Sequence, residues 1–200
     1  INMKLVIFDM DGVLIDSEDY HFEALNSALG EYRVSREFHD TKCKGLSTKG
    51  KLKVIGVPEH SHKEIWSKKQ NETYRVLSDY VKTDRDLMHI MSQLKAKGYQ
   101  IAVASNSIRN TVKIIIERLG IMKYVDLFVS NQDVMRTKPF PEMYWKCMIL
   151  LNALPKNTVI IEDSEIGRQG ARDSGAHLLE VESRKDVNQS LVTEIISVLQ

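Results

Sequence analysis

The chain has 200 residues, 42% of them apolar and 28% charged, with a formal net charge of +1. That composition supports a packed core, and the near-neutral balance lacks the basic field that nucleic-acid binding draws on. No apolar run is long enough to span a bilayer and no signal-peptide layout is seen, while Cys43 and Cys147 lie too far apart in sequence and character to frame a fold, so free thiols in a reducing cytoplasm are expected. In chain order, Met3 is expected to be the natural start, preceded by Ile1 and Asn2. Leu5-Val6-Ile7 reads as a short buried strand. Tyr20, Phe22, Leu25, Ala28 and Leu29 recur at helical spacing behind Ser17, a candidate N-cap. Residues 32–81 are polar and helix-leaning, with a modest core expected from Leu46, Leu52, Ile55, Val57, Ile65, Trp66, Tyr74 and Leu77.

Alternation of strand and helix then begins. Leu87–Lys97 predicts a helix ended by Gly98, and Ile101–Ala104 a strand. Thr111–Leu119 predicts a helix closed by Gly120, and Leu127–Val129 a strand. Pro141–Leu151 predicts a helix with proline in its first turn, where the missing N–H does no harm. Val159–Ile161 predicts a strand, Ile166–Asp173 a helix stopping near Gly175, His177–Val181 the last strand and Val187–Leu199 the final helix. Short apolar strands separated by helices predict an α/β fold, a parallel sheet with helices on both faces. The helical stretch breaks that rhythm. The expected division is a core of residues 1–14 and 84–200 and an inserted helical unit of residues 15–83.

The chemistry-bearing residues fall at the strand ends. Asp9 and Asp11 follow the first strand two positions apart, and in extended chain they share a face. Two anions that close are costly to bury unless neutralised, and a divalent cation with hard oxygen ligands, Mg²⁺, is the natural partner. Ser105 and Asn106 follow the second strand, Lys138-Pro139-Phe140-Pro141 lies beyond the third, and Glu162, Asp163 and Ser164 follow the fourth. Singly, these fit an N-cap, a solvated lysine and polar residues leaving a strand. A parallel sheet gathers all four groups at one edge, where such sheets bind ligands.

These motifs resemble the haloacid dehalogenase superfamily, in the branch of phosphoglycolate phosphatases and beta-phosphoglucomutase. Residues 8–17 (Phe8-Asp9-Met10-Asp11-Gly12-Val13-Leu14-Ile15-Asp16-Ser17) resemble its first motif, Val103–Asn106 the second, Lys138–Glu142 the third and Ile161–Ser164, with Gly167, Ala171 and Gly175-Ala176, the fourth. The resemblance implies a Rossmann-like core with a helical cap inserted after the first strand. It also implies a phosphatase mechanism. Asp9 would be the nucleophile and form a phosphoaspartyl intermediate, and Asp11 the general acid and then base. Mg²⁺ would be held by Asp9, the Asp11 backbone carbonyl and Asp163, with Glu162 direct or through water. Ser105, Asn106 and Lys138 would grip the phosphoryl oxygens. Dehalogenases of the family keep the nucleophile but lack the acid two residues on. Asp16, Ser17 and Glu18 would lie at the cap hinge.

In the cap, Tyr20-His21-Phe22 and Lys44-Gly45-Leu46-Ser47 resemble substrate-facing segments of the mutase, which makes His21, Lys44 and Lys49 candidate substrate contacts. A partly buried helix histidine and a solvated lysine-rich surface fit the same residues. Thr48 or Lys49 stands where the mutase has an arginine, and lysine grips a second phosphate less well. The expected activity is hydrolysis of a small phosphorylated metabolite, a sugar or polyol phosphate, by a monomer that binds neither nucleic acid nor membrane. A phosphosugar mutase is the enzymatic alternative. A non-enzymatic phospho-acceptor module, like a response-regulator receiver, is the alternative of another class. The Asp-x-Asp pair on the first strand and the long helical insert weigh against it.

Overall fold

In the computed structural model, which describes residues 3–44 and 46–200, five parallel strands form one sheet in the order β3-β2-β1-β4-β5. The expected start at Met3 turns on Ile1 and Asn2, and these two and Gly45 of the cap-loop motif lie outside the described residues. The strands are β1 (Leu5–Phe8), β2 (Gln100–Ala104), β3 (Leu127–Val129), β4 (Thr158–Glu162) and β5 (His177–Glu180). β1 is central and fully buried, because its run of four apolar residues has a paired strand on each side and helices over each face. Burying one such side chain contributes roughly 1.5–3 kcal/mol.

The α/β class and the helices expected from periodicity are present, with ends shifted by one or two residues. α1 is Glu18–Leu29, α2 the single turn Arg36–Phe38, α3 Thr48–Ile55, α4 His62–Tyr80 and α5 Arg85–Ala96. Then follow α6 (Arg109–Leu119), α7 (Glu142–Leu150), α8 (Glu165–Ser174) and α9 (Gln189–Val198). Gly120 ends α6 at φ +81°, a left-handed conformation that costs glycine no Cβ clash. One core layer packs Leu5 and Ile7 of β1, Ala102 and Ala104 of β2 and Ile160 of β4 against Tyr144, Cys147 and Met148 of α7.

The chain divides into two compact units, Ile1–Asp16 with Lys82–Gln200, and Ser17–Val81. The second is helical, and its core joins Leu25, Ala28 and Leu29 of α1 to Leu52, Val57 and Ile65. Trp66 corrects one expectation, since it is 43% exposed rather than part of that core. In α4 the inward stripe runs through Ile65, Thr73, Val76 and Leu77, and Trp66, one residue on from Ile65, sits about 100° around the helix. Among the described residues no helix is long and apolar enough to cross a membrane.

Candidate active site

Register explains why distant residues meet. Phe8 is paired with Val103 on one side and Ile161 on the other, so the residues just beyond each strand emerge side by side, about 4.8 Å apart. Asp9 leaves β1 with its N–H bonded to the Ile161 carbonyl at 3.0 Å. Ser105 leaves β2, its N–H bonded to the Val129 carbonyl of β3 at 3.0 Å. Glu162 and Asp163 leave β4. The sheet thus brings together Asp9, Ser105, Glu162 and Asp163, and Lys138 reaches in from the loop after β3.

Lys138 is almost fully buried, and its ammonium donates to Asp9 Oδ1 at 2.8 Å, the Ala104 carbonyl at 2.7 Å and Glu162 Oε1 at 2.5 Å. Three short bonds fill its three donors. Burial alone would lower the Lys138 pKa, but the Asp9 and Glu162 carboxylates outweigh it and hold the ammonium well above its ordinary range. The loop is braced from the second strand end. The Asn106 amide pairs with the Lys138 backbone in both directions, Oδ1 accepting at 3.1 Å and Nδ2 donating at 3.3 Å. Both polar ends of Asn106 are therefore engaged by protein. Ser105 is fully buried, and its Oγ accepts from the Ser107 N–H at 3.1 Å. The helix expected from Thr111 begins two residues earlier, at Arg109, whose N–H is taken by Gln132 Oε1 at 2.9 Å, so Ser105 and Asn106 do not cap it.

Tyr144, which the sequence pattern set within the expected helix Pro141–Leu151 without a role, joins the site. Its hydroxyl donates to Glu162 Oε1, with the Gly167 carbonyl 3.2 Å away, and its ring lies 5.3 Å from the Lys138 ammonium. The one available signal was a hydroxyl on an otherwise apolar helix face, six residues after Lys138. Asp11 is half-buried and accepts from Ser107 Oγ at 3.4 Å. Gly12 has φ +82°, and a Cβ there would sit 2.0 Å from Asp163 Oδ2. The turn after Asp11 therefore needs glycine twice, for its dihedral and for room beside the Asp163 carboxylate. Gly167 stands likewise against Glu162, where a Cβ would come 2.1 Å from Oε2.

Asp9, Glu162 and Asp163 each offer an oxygen within 4.8 Å of the others. Three carboxylates face one lysine. Burial first, then the Glu162 charge, pushes the Asp9 carboxyl up to about 8, and burial with the Asp9 charge pushes Asp163 to about 7. Glu162 Oε2 is buried with no hydrogen-bond partner. An excess of negative oxygen, one of it orphaned, fits a hard divalent cation.

Without metal, Asp9 and Asp163 give up their protons only around pH 7 to 8, whereas unfolded they lose them near 3.8. The folded state then binds more protons than the unfolded across that window, so these groups stabilise it most below pH 4 and that contribution is lost as pH rises to about 8. Thermal melts in chelator are expected to show stability falling over this range, and the stabilisation added by Mg²⁺ growing with pH, since binding expels the protons. A Mg²⁺ shift equal at pH 5.5 and pH 8 would contradict the assignment.

The candidates in the helical unit are less constrained. His21 is half-buried, its ring centroid 4.4 Å from that of Tyr20. Lys44 and Lys49 are exposed, and Lys44 Nζ lies 4.0 Å from Glu18. Glu18, His39 and Asp40 form a second cluster with metal-ligand types. It is already crowded by cations, with Arg36 on Asp40 at 2.9 Å and Lys51 Nζ 3.4 Å from His39 Nε2.

A five-stranded parallel sheet with acidic groups and a lysine gathered at its carboxyl edge is the frame of a Rossmann-like enzyme. The chain belongs to the haloacid dehalogenase-like hydrolase family, whose model matches residues 6–181. It is 29% identical over 187 residues to a phosphorylated carbohydrates phosphatase of Thermotoga maritima, covering 86% of this chain and 82% of the relative. It is 29% identical over 186 residues to a beta-phosphoglucomutase of Bacillus subtilis, covering 86% and 80%. The fold is shared with a crystal structure of beta-phosphoglucomutase from Clostridium difficile, with a TM-score of 0.79 at 20% identity, covering 98% and 97% of the two chains.

Proposed function

We propose that the chain is a Mg²⁺-dependent phosphatase acting on a small phosphorylated metabolite, a sugar or polyol phosphate, through a phosphoaspartyl intermediate on Asp9. The observation that carries this reading is the buried Lys138 ammonium bonded to Asp9 and Glu162, with Asp163 alongside. Asp9 would attack phosphorus, breaking the bond to the ester oxygen and forming an acyl phosphate. Asp11, two residues on, would give its proton to the departing alkoxide, and then accept one from the water that cleaves the acyl phosphate. Attack of one anion on another needs prearranged positive charge and donors. Lys138 and Ser105 supply part of these, held in place by the Asn106 bracket, Glu162 and Tyr144. Mg²⁺, held by Asp9, Asp163 and the Asp11 carbonyl with Glu162 direct or through water, would supply the remaining charge when bound.

The Bacillus subtilis relative's name supports a second reading, a phosphosugar mutase. Thr48 or Lys49 stands where that activity is expected to use an arginine fork. The family match over residues 6–181 weighs against the receiver-like signalling reading. A panel of sugar, polyol, nucleotide and small organic phosphates separates the enzymes. Released inorganic phosphate that stops on adding chelator is the expected result. An isomerised phosphosugar with no net phosphate release would select the mutase, and turnover unchanged by chelator would remove the metal from the mechanism.

A further inference from the structure

The chain passes between its two units twice, at Asp16–Ser17 and at Val81–Lys82, and one residue far along the sequence bonds to the core side of both crossings. Arg184 opens the short 3₁₀ turn Arg184–Asp186 after β5. Its backbone N–H donates to Asp16 Oδ1 at 3.0 Å. Its guanidinium grips Asp84 as a fork, Nε to Oδ2 at 2.8 Å and Nη2 to Oδ1 at 2.9 Å, and Nη1 donates to the Val187 carbonyl at 2.8 Å. Asp84 is itself fixed, since its side chain caps α5 at the Leu87 N–H at 2.9 Å and its own N–H bonds the Leu119 carbonyl at 3.1 Å. The turn is locked by the Ser183 N–H donating to Asp186 Oδ2 at 3.3 Å and the Asp186 N–H donating to the Ser183 carbonyl at 3.1 Å. The pair is mostly buried, with side chains 16% and 24% exposed, and a forked, half-dry ion pair is firmer than an open surface pair.

We infer that Arg184 is a positioning residue that ties the outgoing crossing at Asp16 and the returning crossing at Asp84 to one point, so that loosening either crossing loosens the other. Asp16 and Asp84 are 68 positions apart, and Arg184 lies 168 and 100 positions from them. The knot is separate from the carboxylate cluster, so this inference stands whatever the substrate proves to be.

Limited proteolysis of the full native chain tests it. Trypsin cuts after the exposed Lys82 on the returning side, a glutamate-specific protease after Glu18 on the outgoing side, and the exposed Lys123 serves as a distant reference. In Asp16→Ala and in Arg184→Gln, cleavage at both Glu18 and Lys82 is expected to accelerate by about threefold or more, with Lys123 unchanged, as for coupled local opening. The exposed Asp16 makes the first variant a mild one for folding. Acceleration confined to each variant's own crossing would overturn the coupling. Equal acceleration at all three sites would reduce Arg184 to general stability, and no acceleration would remove the knot altogether.

Discussion

Asp9→Asn is expected to abolish phosphate release, with turnover falling by at least about 10⁴-fold, roughly 5.5 kcal/mol of transition-state stabilisation. The amide keeps the size of the carboxylate and its carbonyl oxygen still accepts from Lys138, so the fold is undisturbed. What is lost is the anionic oxygen that attacks phosphorus. The same change removes one of three crowded carboxylates. The variant is therefore expected to be at least as stable as the native chain in chelator, and to gain less from Mg²⁺. Phosphate-release assays with thermal melts in chelator and in Mg²⁺ check both halves. Residual turnover above about 1% of native would exclude Asp9 as the nucleophile, because an amide contributes no comparable attack.

Lys138→Met is expected to destabilise the protein by about 3–5 kcal/mol, in addition to silencing it, because it leaves a buried carboxylate without its counter-charge. Glu162 has no exposed surface, and beyond Lys138 its Oε1 accepts from the Tyr144 hydroxyl. Methionine fills the space of the lysine stem but offers no donor. Replacing both partners, Lys138→Met with Glu162→Gln, is expected to restore much of the loss, because the desolvated charge disappears with its partner. Urea unfolding in chelator at pH 7.5 measures both variants. A double variant no more stable than the single one would show that packing, not charge, sets the cost.

The elements of the core were legible because parallel strands buried on both faces are short unbroken apolar runs, as in Leu5-Val6-Ile7 and Val159-Ile160-Ile161. The glycines after helices marked their ends for a local reason, visible at Gly120 and Gly175. The candidate site was legible in outline because sheet topology collects strand ends, and Asp9, Glu162 and Asp163 do come together. What stayed hidden depends on side-chain direction across long sequence separations. Nothing local in Asn106 shows that its amide brackets the Lys138 backbone, 32 residues away. Tyr144 was not singled out, and Trp66 looked like core and is not. The Asp84 cap on α5 went unread, and its fork with Arg184 joins residues 100 positions apart, beyond any local pattern.

The central position of β1 bears on how the chain is made. Its partners begin at Gln100 and Thr158, so once this strand leaves the ribosome it lacks its second neighbour until about 150 more residues have followed. At typical rates of synthesis that is a wait of roughly 8–30 s. Meanwhile the Ser17–Val81 unit, whose α1 and α4 pair within one stretch of chain, has all it needs to collapse by itself. Residues 5–8 are thus a sticky apolar segment awaiting late partners, and the stage of synthesis between β1 and β4 is where a chaperone would be needed.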